Sequence, residues 1–211
     1  MFSTLGVQLQ FSQKLSHPAL TEFLARQKFD HMHLDIGCGR GGFLIEAAKQ
    51  HRSRAYVGIE INETTCDFLA HRINRLSLPN AIVINEEGYN FIRTYVASAC
   101  IQGLHVYFPT PYLNGLNANL SGQNIKLETL LLVRDFLVQC KRVLCESGSL
   151  QIVTDVLRYI ERARREALSV GMSEIPWVPP IQCANLTHII GTGCEIEMQS
   201  IGRPVYALNL M

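Results

Sequence analysis

The chain has 211 residues, is 47% hydrophobic and carries a formal net charge of +1. That fits one domain, residues 1–211, with a substantial core, and it excludes a global field drawing the protein to nucleic acid or membrane. The 7 cysteines, without a C-x-x-C pair, read as reduced and mostly buried thiols. No apolar run reaches the ~20 residues that cross a bilayer, and the first residues lack a secretory pattern, so a soluble, cytoplasmic protein with no membrane partner is expected.

A short helix is predicted at Pro18–Arg26, with proline in its first turn. The strand His33–Ile36 follows, then the glycine cluster Gly37-Cys38-Gly39-Arg40-Gly41-Gly42, then the helix Gly42–Gln50. Strand, tight turn and helix in that order make a ligand crevice at the carboxyl end of a parallel sheet. Glycine lets the backbone turn sharply and approach a ligand, and the helix start offers free N–H groups. The spacing Gly37, Gly39, Gly42 suits a dinucleotide, whereas Gly37, Gly39, Gly41 is the G-x-G-x-G of S-adenosylmethionine enzymes. Spacing alone does not decide between them. Asp35 weighs for the second, because a carboxylate there repels a pyrophosphate and suits the cationic amino group of a methionine moiety.

Further strands are predicted at Ala55–Glu60, Ala81–Asn85, Leu104–Phe108 and Ser149–Thr154. Helices are predicted at Glu63–Leu76, Tyr89–Ala99, Lys126–Cys145 and Val156–Ser169, the alternation of a doubly wound α/β sheet. Strand ends in such a sheet face the ligand. Glu60, roughly 20 residues past the glycines, suits the two hydroxyls of a ribose. Glu87 stands where an adenine amino group would lie. Prolines flank Thr110 and stiffen the segment that would present a target base. Asp155 closes the fifth strand as a site acid or as a helix N-cap. Arg158, Arg162 and Arg165 line one face of the next helix, a cationic stripe that reads as a contact for phosphates or, in slight preference, as a solvated face diluted by Glu161 and Glu166. Two stretches read as loops, Pro109–Gln123 and Gly171–Leu186.

The end of the chain breaks the alternation. Cys194–Gln199 and Val205–Leu210 flank Gly202-Arg203-Pro204, which reads as an antiparallel hairpin. A mostly parallel sheet closed by a C-terminal hairpin is the build of S-adenosylmethionine-dependent methyltransferases, and it weighs against nicotinamide. The expected class is therefore a Rossmann-like α/β methyltransferase fold.

From Leu34 to Leu210 the chain resembles the bacterial tRNA (guanine-N7)-methyltransferases, as a divergent member. The likeness is carried by Asp35-Ile36-Gly37-Cys38-Gly39-Arg40-Gly41, Gly58-Ile59-Glu60-Ile61, Phe108-Pro109-Thr110-Pro111-Tyr112 and Thr154-Asp155. Its most specific part is Thr192-Gly193-Cys194-Glu195, followed by Gly202-Arg203-Pro204-Val205-Tyr206. The resemblance implies that Asp35, Gly37, Gly39, Glu60 and Glu87 hold S-adenosyl-L-methionine. It also implies that Asp155, Thr192 and Glu195 hold a guanosine, that Thr110 and Asp155 stand at the catalytic position, and that tRNA is the partner. The chain departs from the family where an acid and a tryptophan are usual, with Thr110 and Tyr112 in their places. It also has Leu113–Gln123, without one cation, where a basic run is usual. Phosphate neutralisation supplies most nucleic-acid affinity, so weakened tRNA binding is expected; the alternatives are a methyltransferase of the same fold acting on a small molecule or protein, or a non-catalytic relative that binds S-adenosyl-L-methionine.

Overall fold

The computed structural model describes residues 16–109, 131–183 and 187–211. Its strands are β1 (His31–Ile36), β2 (Arg54–Glu60), β3 (Ala81–Asn85), β4 (Ile101–Tyr107), β5 (Leu144–Thr154) and β6 (Tyr206–Leu210). Its helices are α1 (Pro18–Arg26), α2 (Gly42–Gln50), α3 (Glu63–Arg75), α4 (Gly88–Tyr95), α5 (Arg134–Val143), α6 (Leu157–Ser169) and α7 (Gly193–Ser200). The strands form one sheet in the order β3-β2-β1-β4-β5-β6. The first five are mutually parallel and β6 runs antiparallel to β5, with Leu150 opposite Leu210. None of the described helices is long and apolar enough to cross a membrane.

Successive strand residues point to opposite faces, so β1 sends Met32, Leu34 and Ile36 one way and His33 and Asp35 the other. The first face is aliphatic: Leu34, Val57, Leu104 and Ile152 are fully buried there, together with Leu20, Phe91, Leu137 and Ala163 from α1, α4, α5 and α6. The second face packs Leu44 and Ile45 of α2 and Leu69 of α3 over the β2 side of the sheet. Over β1, β4 and β5 that same face is polar, carrying His33, His105 and Gln151, all buried.

The predicted alternation is present, with shifted ends. Leu144 leaves the helical region (φ −65°, ψ 135°) and pairs with Ile101, so β5 starts well before Ser149 and α5 stops short of Cys145. The part of the predicted helix before residue 131 lies outside the described residues. The hairpin expectation is corrected. Residues 193–200 are helix α7, capped by the Thr192 side chain, which accepts from the Glu195 N–H. Period-two alternation in Cys194–Gln199 imitates a strand, but the cap and the contacts of Glu195 decide for a helix. Only the second arm, as β6, joins the sheet. None of the 7 cysteines is in a disulfide.

The cysteine-glycine turn and its candidate cofactor site

Continuing past Ile36, the chain turns through Gly37 (φ 72°) and Gly39 (φ 52°), left-handed positions that favour glycine. A Cβ on either would meet no atom within 4 Å, so the turn faces open space. The Gly37 and Cys38 N–H groups donate back to Ile59 O at 2.8 and 3.2 Å, tying the turn to the end of β2. Glu60, the last residue of β2, completes the tie. One carboxylate oxygen accepts from Gly39 N–H at 3.0 Å and the other from Asn62 N–H at 2.9 Å. Each oxygen has two lone pairs, so each keeps one for a ligand hydroxyl.

Asp35 lies behind this turn, 4% exposed, between Gly58 on β2 and His105 on β4. Burial, then the nearby Glu60 carboxylate, pushes its pKa up to about 8. Burial followed by Asp35 and Glu60 likewise drives the Cys38 thiol well above its ordinary range. The same order of causes, burial and then Asp35, raises the Tyr107 phenol. The crevice is thus a negative field, and a bound cation there would draw a proton off Asp35.

Glu87 is the N-cap of α4, accepting from Tyr89 N–H at 2.9 Å and Asn90 N–H at 2.7 Å. It stands at the carboxyl edge as predicted, with cap duty as its observed role. Asp155 does not cap α6, whose N-cap is Val156 with no side-chain bond. Instead it accepts a 2.6 Å salt bridge from Arg203, joining the end of β5 to the Gly202-Arg203-Pro204 segment. Thr192 sits beside the glycine turn: a Cβ on Gly42 would be 3.9 Å from its Cβ.

Glu195 is fully buried and has no open face. Its carboxylate accepts from the N–H groups of Ile189, Ile190 and Gly191 at 2.5, 2.8 and 2.8 Å and from the Gln199 side chain at 3.2 Å. It therefore shapes the loop that carries Thr192, where direct contact with a substrate was expected. Thr110 lies outside the described residues. Just before it, Phe108 holds a left-handed conformation (φ 49°) at the end of β4, its N–H bonded to Val153 O at 2.7 Å. A bulky residue there stores strain, of the kind that collects at functional sites.

Of the predicted residues, Asp35, Gly37, Gly39 and Glu60 are brought together in one crevice. Asp155 and Thr192 stand at the same carboxyl edge on other elements, and Glu195 is withdrawn into the loop. Arg203 was missed, although the Gly202-Arg203-Pro204 segment is part of the motif that carries the resemblance. Asn85 was missed too; its amide donates to Glu60 O and Ile61 O at 2.9 and 3.0 Å and steadies the strand end. The arginine face of α6 is partly paired, Arg162 with Glu166 at 4.0 Å, while the neighbouring Arg164 meets Glu174 at 2.7 Å, in keeping with a solvated face.

Residues 30–208 match the protein family described as "Putative methyltransferase". A tRNA (guanine-N(7)-)-methyltransferase of Anaeromyxobacter dehalogenans is 30% identical over 180 residues, 85% of each chain. One from Limosilactobacillus reuteri is 23% identical over 178 residues, 84% of this chain and 79% of that one. Among solved structures, the 16S rRNA methyltransferase KamB superimposes with a TM-score of 0.61 at 16% identity, covering 93% of this chain and 94% of that chain. The aminoglycoside resistance methyltransferase NpmB1 gives 0.60 at 15%, covering 93% of both. At these identities the superpositions establish a Rossmann-like methyltransferase fold and say nothing of the substrate.

Proposed function

The chain belongs to this methyltransferase family, and from that premise we propose that it transfers the methyl group of S-adenosyl-L-methionine to N7 of a guanine in tRNA. The observation that carries the cofactor half is the pairing of Asp35 and Glu60 behind an open glycine turn. In this reading Asp35 takes the cationic amino group, Gly37 and Gly39 let the backbone approach, Glu60 accepts the ribose hydroxyls with its remaining lone pairs, and Glu87 faces the adenine end. When bound, S-adenosyl-L-methionine supplies an electrophilic methyl group on a sulfonium.

Guanine N7 carries a lone pair and no proton, so the protein has no base to provide. Positioning supplies most of the rate. Asp155, oriented by Arg203, offers an acceptor to the N–H groups of a guanine, and Thr192 stands beside the glycine turn. Glu195 acts by holding the 189–191 backbone in place. The curated relatives named for guanine N7 in tRNA support the substrate half.

A second reading, the same chemistry on a small molecule or a protein, is favoured by one feature: Leu113–Gln123 contains no lysine or arginine to neutralise phosphates. One experiment separates the two. Unmodified tRNA and methyl-labelled S-adenosyl-L-methionine are incubated with the protein and the digested RNA is searched for 7-methylguanosine. Label in that nucleoside, with activity falling steeply as salt rises, supports the tRNA reading. Cofactor binding with no label in RNA refutes it in favour of the second.

A further inference from the structure

The polar stretch of the second sheet face opens, at the end opposite the glycine turn, into a cavity of about 890 Å³. Its walls include His31 at the start of β1, Arg54 at the start of β2 and Gly103 near the start of β4, so it lies at the amino edge of the parallel strands. That edge is roughly 20 Å from the glycine turn along β1, while His105, deeper in the cavity, pairs with Asp35. The volume is within the ~300–1,000 Å³ of small-molecule sites.

A chain of hydrogen bonds fixes what the cavity asks of a ligand. The Gln151 amide donates to Val178 O at 2.7 Å, which leaves its oxygen to accept the Tyr107 hydroxyl proton at 3.0 Å. With that proton committed, Tyr107 accepts from His105 Nδ1 at 2.8 Å. His105 Nε2 is then an acceptor and takes the Nδ1 proton of His33 at 3.1 Å. Burial keeps both rings neutral, pushing His105 down to about 3 and His33 well below its ordinary value. The result is a bare lone pair on His33 Nε2, an atom with no partner among the described residues, on a side chain 9% exposed. Gly103 makes this meeting possible, since a Cβ there would collide with both imidazoles.

Asn209 repeats the pattern on β6. Its amide nitrogen donates to Pro176 O at 2.9 Å, and its oxygen is buried without a partner among the described residues. His33 and Asn209 both line the one cavity, on strands three spacings or roughly 14 Å apart. Tyr56, stacked on His33 with ring centroids 5.0 Å apart, adds an aromatic wall. Among the described residues no carboxylate lines the cavity, and Arg54 is a permanent cation there.

We propose that this cavity is a second ligand site, distinct from the methyl-transfer crevice, for a small anion of nucleoside monophosphate size. Its N–H or O–H donors meet His33 Nε2 and Asn209 Oδ1, and its anionic group meets Arg54.

The test is calorimetric titration of the full chain with AMP, GMP, CMP and UMP, alone and with saturating S-adenosyl-L-homocysteine. At least one should bind, its affinity unchanged by S-adenosyl-L-homocysteine. His33→Phe, which keeps an aromatic ring, and Arg54→Gln, at a partly exposed position, should each weaken it at least about tenfold while S-adenosyl-L-homocysteine affinity stays the same. Glu60→Ala should do the reverse, so failure of the methyltransferase reading is seen separately. The proposal is overturned if none of the four binds at about 1 mM. Competition by S-adenosyl-L-homocysteine, or binding that survives both cavity substitutions, overturns it equally.

Discussion

Asp35→Asn should make the protein more stable and less able to bind its cofactor. The Asp35 carboxyl has a pKa of about 8 in the folded chain against 3.8 ordinarily. Between those values the folded chain holds a proton that the unfolded chain has released. Stability contributed by this group is therefore complete below pH 3.8, falls as pH rises, and is lost once pH passes about 8. Each pH unit is worth about 1.4 kcal/mol, so the penalty is about 4 kcal/mol at pH 7. Asparagine is nearly isosteric and does not titrate. It removes that penalty but leaves a buried amide needing partners, at about 1–3 kcal/mol, so a net gain of about 1–3 kcal/mol is expected at pH 7. The assay is urea unfolding of both proteins at pH 5, 7 and 8.5. Wild-type stability should decline across that range relative to the variant, and parallel pH profiles would refute the reasoning. In parallel, wild-type affinity for S-adenosyl-L-methionine should rise with pH up to about 8, as the carboxylate forms, and that slope should vanish in the variant.

Other outcomes follow from the same geometry. Glu60→Ala removes the acceptor for two backbone N–H groups and the ribose partner proposed above, so S-adenosyl-L-homocysteine affinity should fall by at least about tenfold, read by calorimetry; unchanged affinity would remove the assignment. Glu195→Ala strands three backbone N–H groups and should lower stability by roughly 3 kcal/mol in a denaturant titration. A variant of full stability but raised KM would instead make Glu195 a substrate contact. For Arg203 and Asp155, a double-mutant cycle should give a coupling of only about 1 kcal/mol in stability, because the arginine is largely exposed. If the pair orients a substrate-binding acid, Arg203→Ala should also lower kcat/KM, and intact kcat/KM would confine the pair to stability.

The turn, the strand ends and most helices were legible because their determinants are local. Asp35 and Glu60 could be placed because acids at the ends of apolar runs sit at the carboxyl edge wherever the runs lie in a parallel sheet. Thr192-Gly193-Cys194-Glu195 shows how a local signal can mislead. The T-x-x-E spacing is also that of a capping box, and an alternating Cys194–Gln199 concealed it. Glu195 completes its bonds on the three residues just upstream, and that sets a helix where a strand was expected.

The amino acid sequence by itself determined the βα alternation, the left-handed glycines and the row of acids, each the consequence of a few neighbouring residues' sterics and polarity. What meets what across the chain was decided only in three dimensions. Arg203 reaches Asp155 across 48 positions, and His33 reaches His105 across 72. Strand order and register bring such groups together, and burial then sets their charge. That is why Asp35 is an acid of pKa about 8 and His33 a neutral acceptor, states no isolated segment of this chain would hold.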